Sequence, residues 1–153
     1  MNPTLSPNHD PRDLNRFLRA QEHYYTRAHA EIRSGRKRTH WMWYIFPQLD
    51  GLGFSETARR YAIRGLDEAR AYLGHPVLGL RLRACAEAML AVQGRTAHEI
   101  LGSPDDLKLR SCATLFAQVS PEGSVFHRLI QVYFDGKPDA RTLDLLASQA
   151  GQG

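Results

Sequence analysis

An all-α fold is what this sequence predicts, as one compact multihelical domain of about seven or eight short helices. Two observations carry that expectation. Helix-start residues recur ahead of apolar stripes at three-and-four spacing, and glycines close most of those stripes. No two-residue hairpin turn separates two alternating runs: neither Asp50-Gly51 nor Asp135-Gly136 has a strand-like run on both sides.

The helices follow in order. Residues 1–10 hold Pro3, Pro7, Asn2 and Asn8 and read as a loose arm; residues 11–148 read as the domain, and 149–153 as a frayed end. Asp10 is placed to cap a first helix with Pro11 at its first position. Its stripe runs through Leu14, Phe17, Leu18, Tyr24, Tyr25, Ala28 and Ile32 to Gly35. Ser55 opens a second helix, Gly65 breaks it, and a short piece follows from Asp67 to Leu73. Pro76 starts the next, which ends at Gly94. Thr96 with Glu99 forms a capping box. Ser103 and Pro104 start a helix through Phe116, Ser120 and Pro121 start another that ends at Gly136, and Asp139 caps the last.

Composition sets the bounds. The chain has 153 residues, the usual size of one domain and long enough to bury a core without staples. At 42% hydrophobic and 24% charged it is globular rather than disordered in composition. The longest apolar run, Trp41 to Phe46, is far short of the ~20 residues that span a bilayer, and MNPTLSPNHD holds no signal-peptide core. A soluble, cytoplasmic monomer with no membrane contact is expected. Cys85 and Cys112 lie on apolar stripes and read as buried small hydrophobes. With no C-x-x-C pair, no metal site is expected. The net charge of +4 permits an anionic partner without requiring one.

Residues 36–54, RKRTHWMWYIFPQLDGLGF, break the helical pattern. The apolar run fits either a buried strand or a buried helical turn. A lone strand would have no partner, so an irregular or helical plug in the core is favoured.

This block, with others, makes the chain resemble a known family. The marks are Arg16-Phe17 followed by Ala20-Gln21, HWMWYIFPQL from His40 to Leu49, GLG from Gly51 to Gly53 with Ser55, and Tyr61-Ala62-Ile63. HPVLGLRL from His75 to Leu82 and KLRSCATLF from Lys108 to Phe116 complete them. Together they resemble the bacterial domain-of-unknown-function family number 1810, at times mislabelled calpastatin, over nearly the whole chain after the arm. The resemblance implies an all-helical fold and no established activity, cofactor or catalytic residue. Ala113 departs from the methionine-like residue expected before Thr114-Leu115-Phe116, a matter of packing.

Candidate ligand-binding residues come from two segments. The first supplies His40, Trp41, Trp43, Tyr44 and Gln48: rings to stack on, an imidazole able to act as a base, and an amide. The second supplies Lys108, Arg110, Ser111 and Thr114 on one helix, where a phosphate or carboxylate could sit. Each has a plainer interpretation as core, cap or solvated face. No Ser, Cys or Asp completes a triad with His40, so no catalytic residue or cofactor is named and enzymatic activity stays open.

Three functions from different classes follow. The first is binding of an anionic or nucleotide-like small molecule in an aromatic and basic pocket built from both segments. The second is a protein or nucleic-acid interaction module using the basic-aromatic 33–48 segment, with nucleic acid the less expected partner. The third is a helical scaffold with no ligand.

Overall fold

The structure is a computed structural model and describes residues 13–152. The arm at 1–10 and the start at Asp10-Pro11 lie outside the described residues. Among the described residues the chain forms nine helices and no strand. They are α1 (Asn15–Arg33), α2 (Met42–Ile45), α3 (Glu56–Arg60), α4 (Leu66–Gly74) and α5 (Leu78–Ala91). After these come α6 (Ala97–Leu101), α7 (Asp105–Ala117), α8 (Val125–Tyr133) and α9 (Ala140–Gln152). The fold class is all-α. The helix beyond the expected seven or eight is α2, one turn that the 40–48 segment makes inside the core.

Most boundaries follow local chemistry. The Ser55 side chain accepts the Ala58 N–H at 3.0 Å and starts α3. Thr96 and Glu99 exchange bonds of 3.0 and 2.8 Å in the capping box of α6. Asp139 accepts the Thr142 N–H at 2.9 Å and starts α9. Two starts differ from expectation. α1 opens at Asn15, beyond Asp13, whose φ of 48 is left-handed, and not at the first position expected from sequence. Ser120 and Pro121 do not open α8; Ser124 does, accepting the His127 N–H. Gly123 lies at φ 80, a left-handed conformation that no helix can include, so the helix begins just beyond it. α9 runs on to Gln152 and so takes in residues 149–152.

α5 and α7 form the centre. α5 packs on α1, α4 and α8, and α7 on α8, α6, α9 and α4. α7 is buried around its whole circumference from Ser111 to Ala117, which explains its weak amphipathicity. A row of rings crosses the core from Phe17 to Tyr72 at 5.1 Å, on to Phe116 at 5.5 Å and to Phe126 at 5.6 Å. α4 and α5 meet closely at Gly79, where a Cβ would fall 2.1 Å from the Leu73 carbonyl oxygen. Only glycine fits there.

Glu31 fixes the segment that follows α1. Its carboxylate accepts from the Arg38 N–H at 2.8 Å, the Thr39 N–H at 3.1 Å, the Thr39 hydroxyl at 2.9 Å and the Trp41 indole at 2.9 Å. Partial burial raises the Glu31 pKa, but these bonds outweigh it and hold the carboxyl down to about 2. Trp41 is thereby seated in the core at 0% exposure. The plug then continues to Leu49, which makes an isolated parallel bridge to Ile63 through bonds of 2.8 Å on either side.

A depressed carboxylate pKa stabilises the fold above the group's ordinary value of 4.5, and that contribution disappears as the pH falls towards about 2. Glu31→Gln should lower stability at pH 7 by about 2 kcal/mol, the value of charge-assisted bonds at a partly buried site. It should also flatten the acid side of the stability curve below pH 4.5. Urea titrations followed by tryptophan fluorescence check both. An unchanged acid limb in the variant would show that Glu31 does not carry it.

Candidate functional site

The residues expected to bind a ligand divide into those used by the fold and those left at the surface. Trp41 is core. Trp43 is half-buried and carries the Lys108 ammonium 4.6 Å above its ring. That contact brings the 40–48 segment and α7 together. Lys108 also pairs with Asp105 at 3.3 Å, and Lys37 reaches the other oxygen of Asp105 at 3.0 Å. One carboxylate thus serves both lysines. Arg110 donates to the carbonyls of Lys137 and Pro138 at 2.8 and 3.1 Å, which ties α7 to the α8–α9 turn.

Ser111 and Thr114 are buried rather than set on a solvent-facing strip. Ser111 donates to the Leu107 carbonyl at 3.2 Å and Thr114 to that of Arg110 at 2.8 Å. Thr114 also accepts the Asp139 N–H at 2.8 Å. Both hydroxyls are turned to helix carbonyls and interior contacts. Tyr44 stacks on Tyr24 at 4.8 Å and meets Tyr61 edge-on at 4.8 Å; burial raises its pKa. Its carbonyl accepts from the buried Gln21 amide at 2.8 Å, and Gln21 also donates to the Tyr72 hydroxyl at 3.2 Å. His40 is exposed. Gln48 lines a cavity of about 10 Å³ with Trp43 and Tyr61, room for about one water molecule.

The basic run shares this fate. Arg33, Arg36 and Arg38 are exposed, but the aromatic rings that follow face the core or lie against lysine. Burial pushes Cys85 up to about 12 and Cys112 well above its ordinary value, so neither is a thiolate nucleophile near neutral pH. Among the described residues no three His, Cys, Asp or Glu side chains gather to hold a metal, and no helix is long and apolar enough to cross a membrane.

Two open grooves lie elsewhere, on the side formed by α3, α4 and α9. One, of about 1010 Å³, runs along Arg16, Arg60, Arg64, Glu68, Arg70 and Gln149. The other, of about 760 Å³, is lined by Asp50, Phe54, Glu56, Arg59, Arg60 and Arg64. Arg60 and Arg64 belong to both. Among the described residues no carboxylate lies within ion-pair distance of Arg59, Arg60 or Arg64, as is true of most of the arginines; Arg16 and Arg70, which line the larger groove beside Arg60 and Arg64, each have one.

What holds this surface is a buried ion pair. The Arg16 and Glu68 side chains are 4% and 6% exposed and meet at 3.2 Å. Arg16 also donates to the Arg60 carbonyl at 2.8 Å, the Ala62 carbonyl at 2.7 Å and the Asp13 carbonyl at 2.6 Å. Glu68 accepts the Arg64 N–H at 3.0 Å. The backbone at 60, 62 and 64 is thus gripped from below, and the exposed Arg60 and Arg64 line the grooves. Sequence reasoning missed this set. Its one available signal was the cluster Arg59, Arg60, Arg64, a pair of cations followed four residues later by a third.

Removing one partner of a buried pair leaves the other charge uncompensated. Arg16→Leu should therefore destabilise the protein by about 3–5 kcal/mol in urea denaturation. A loss below about 1 kcal/mol, the level of an exposed pair, would mean the turn stands without it.

Comparison with known proteins agrees with the fold. A crystal structure of the conserved hypothetical protein Rv1873 from Mycobacterium tuberculosis superposes with a TM-score of 0.88 at 51% identity, covering 90% of this chain and 99% of that one. A search of the curated proteins gives no match. The family model described as "Protein of unknown function (DUF1810)" matches residues 11–146. The chain therefore belongs to the DUF1810 family.

Proposed function

We propose that this protein binds an anionic small molecule through the guanidinium groups of Arg60 and Arg64. One observation carries the reading: two arginines without a carboxylate partner among the described residues are shared by both open grooves. Guanidinium groups match phosphate and carboxylate oxygens in a fork geometry, and the clamp of Arg16 and Glu68 fixes the backbone that carries them. The reading departs from the sequence-expected pairing of 40–48 with α7 because Lys37 and Lys108 share Asp105 and lie over the Trp41 and Trp43 rings, and Ser111 and Thr114 are bonded to helix carbonyls. The 33–48 interaction face has less support, since its rings are not presented to a partner. A cytoplasmic location remains part of this reading: Cys85 and Cys112 are free and buried, which suits a reducing compartment.

Calorimetric titration with inorganic pyrophosphate at about 50 mM ionic strength, where exposed charges are only partly screened, tests the reading. Arg60→Ala and Arg64→Ala should each weaken binding about tenfold, the worth of one charged hydrogen bond, with the melting temperature unchanged. Arg36→Ala, exposed and outside the grooves, should bind as the parent does. Equal losses in all three variants would mean diffuse charge attraction rather than a site.

A further inference from the structure

The smaller groove contains more than cations. Phe54 is 71% exposed, the most of any large apolar side chain among the described residues. A single exposed ring needs no explanation by itself. This one lines the same groove as Arg59, Arg60 and Arg64. The ring contacts nearby join Tyr44 to Tyr61 and Arg60 to Tyr61 and leave Phe54 out. The backbone that carries it is set by a helix cap. Phe54 directly precedes the α3 cap, where Ser55 takes the Ala58 N–H through its side chain and the Arg59 N–H through its carbonyl, each at 3.0 Å. One short helix therefore spaces the ring from Arg59 and Arg60 in its last turn.

Charge narrows the ligand further. Asp50 and Glu56 line the groove with the three arginines. A bare anion meets both signs and gains little from the carboxylates. A ligand that joins an anionic group to hydroxyl or amine donors satisfies both. The groove's volume of about 760 Å³ lies within the ~300–1,000 Å³ of small-molecule sites.

We propose that the anion is a nucleoside phosphate, with its base stacked on Phe54 and its phosphate on Arg59, Arg60 and Arg64. Asp50 and Glu56 accept from ribose hydroxyls or base amines. The inference rests on the anion-binding reading above and names the ligand class of that site. The same chemistry arrives as a free nucleotide or as the end of a single strand, because base stacking on one ring is indifferent to the source.

The test compares inorganic phosphate, adenosine monophosphate, uridine monophosphate and hexauridylate on the full chain by calorimetry. Both monophosphates should bind about tenfold more tightly than inorganic phosphate, the usual worth of one stacked base. Phe54→Ala should abolish that gain and leave phosphate affinity unchanged; Phe54→Trp should retain it. Tighter binding of hexauridylate with the same dependence on Phe54 supports the proposal with a strand as the source, and equal or weaker binding supports it with the free nucleotide. Monophosphates that bind no better than phosphate overturn the proposal alone, as does a gain that survives Phe54→Ala. If neither phosphate nor nucleotide binds, the anion-binding reading falls and takes this inference with it.

Discussion

The grip of one buried guanidinium on one turn organises the candidate site. Arg16 sits at the start of α1, yet its donors reach the carbonyls of residues 60 and 62 and the carboxylate of Glu68. A charge taken out of water needs its full set of partners, so the chain from Arg60 to Arg64 has little freedom once Arg16 is in place. Backbone carbonyls that would otherwise need solvent are satisfied from within. The side chains of the same turn are then free to face outward. Arginines of the same charge thus play opposite parts: Arg16 is consumed by the fold, and Arg60 and Arg64 are left exposed by it.

Glu31 does similar work at the other side of α1. It gathers two backbone amides, a hydroxyl and an indole around one carboxylate. The basic run Arg36, Lys37 and Arg38 thereby becomes a tightly bent connection, and the tryptophan block turns inward. Lys37 and Lys108 lie over Trp41 and Trp43 at 5.1 and 4.6 Å and share Asp105. Cation and ring are satisfied by each other there, which is why a segment that looks like a binding surface in sequence behaves as a joint between helices.

The fold was legible because its cues are local. Ser55, Thr96 with Glu99, Asp139 and the stripe of α1 each act within a few residues, and each gave its helix. The start of α8 is less legible because Ser120-Pro121 and Ser124 both offer a cap, and the choice rests on the backbone at Gly123. The site was much less legible. A pocket combining the 40–48 segment with α7 is what the residue types suggest, and nothing in the spacing says that Asp105 holds Lys108 or that Lys108 lies over Trp43. Ser111 and Thr114 look polar in sequence and become interior because α7 is enclosed on all sides, a property of the packed helices around it. The Arg16–Glu68 pair is separated by 52 residues, and no periodicity reports a contact of that range.

The central claim is that this clamp presents Arg60 and Arg64 as the anion site. Site-resolved nuclear magnetic resonance of the arginine Nε–Hε groups during titration with inorganic phosphate tests it most directly. The account predicts that the Arg60 and Arg64 signals move together along one saturation curve. Signals of Arg33, Arg36 or Arg38 that move instead, with Arg60 and Arg64 unaffected, would contradict it and return the binding surface to the basic run.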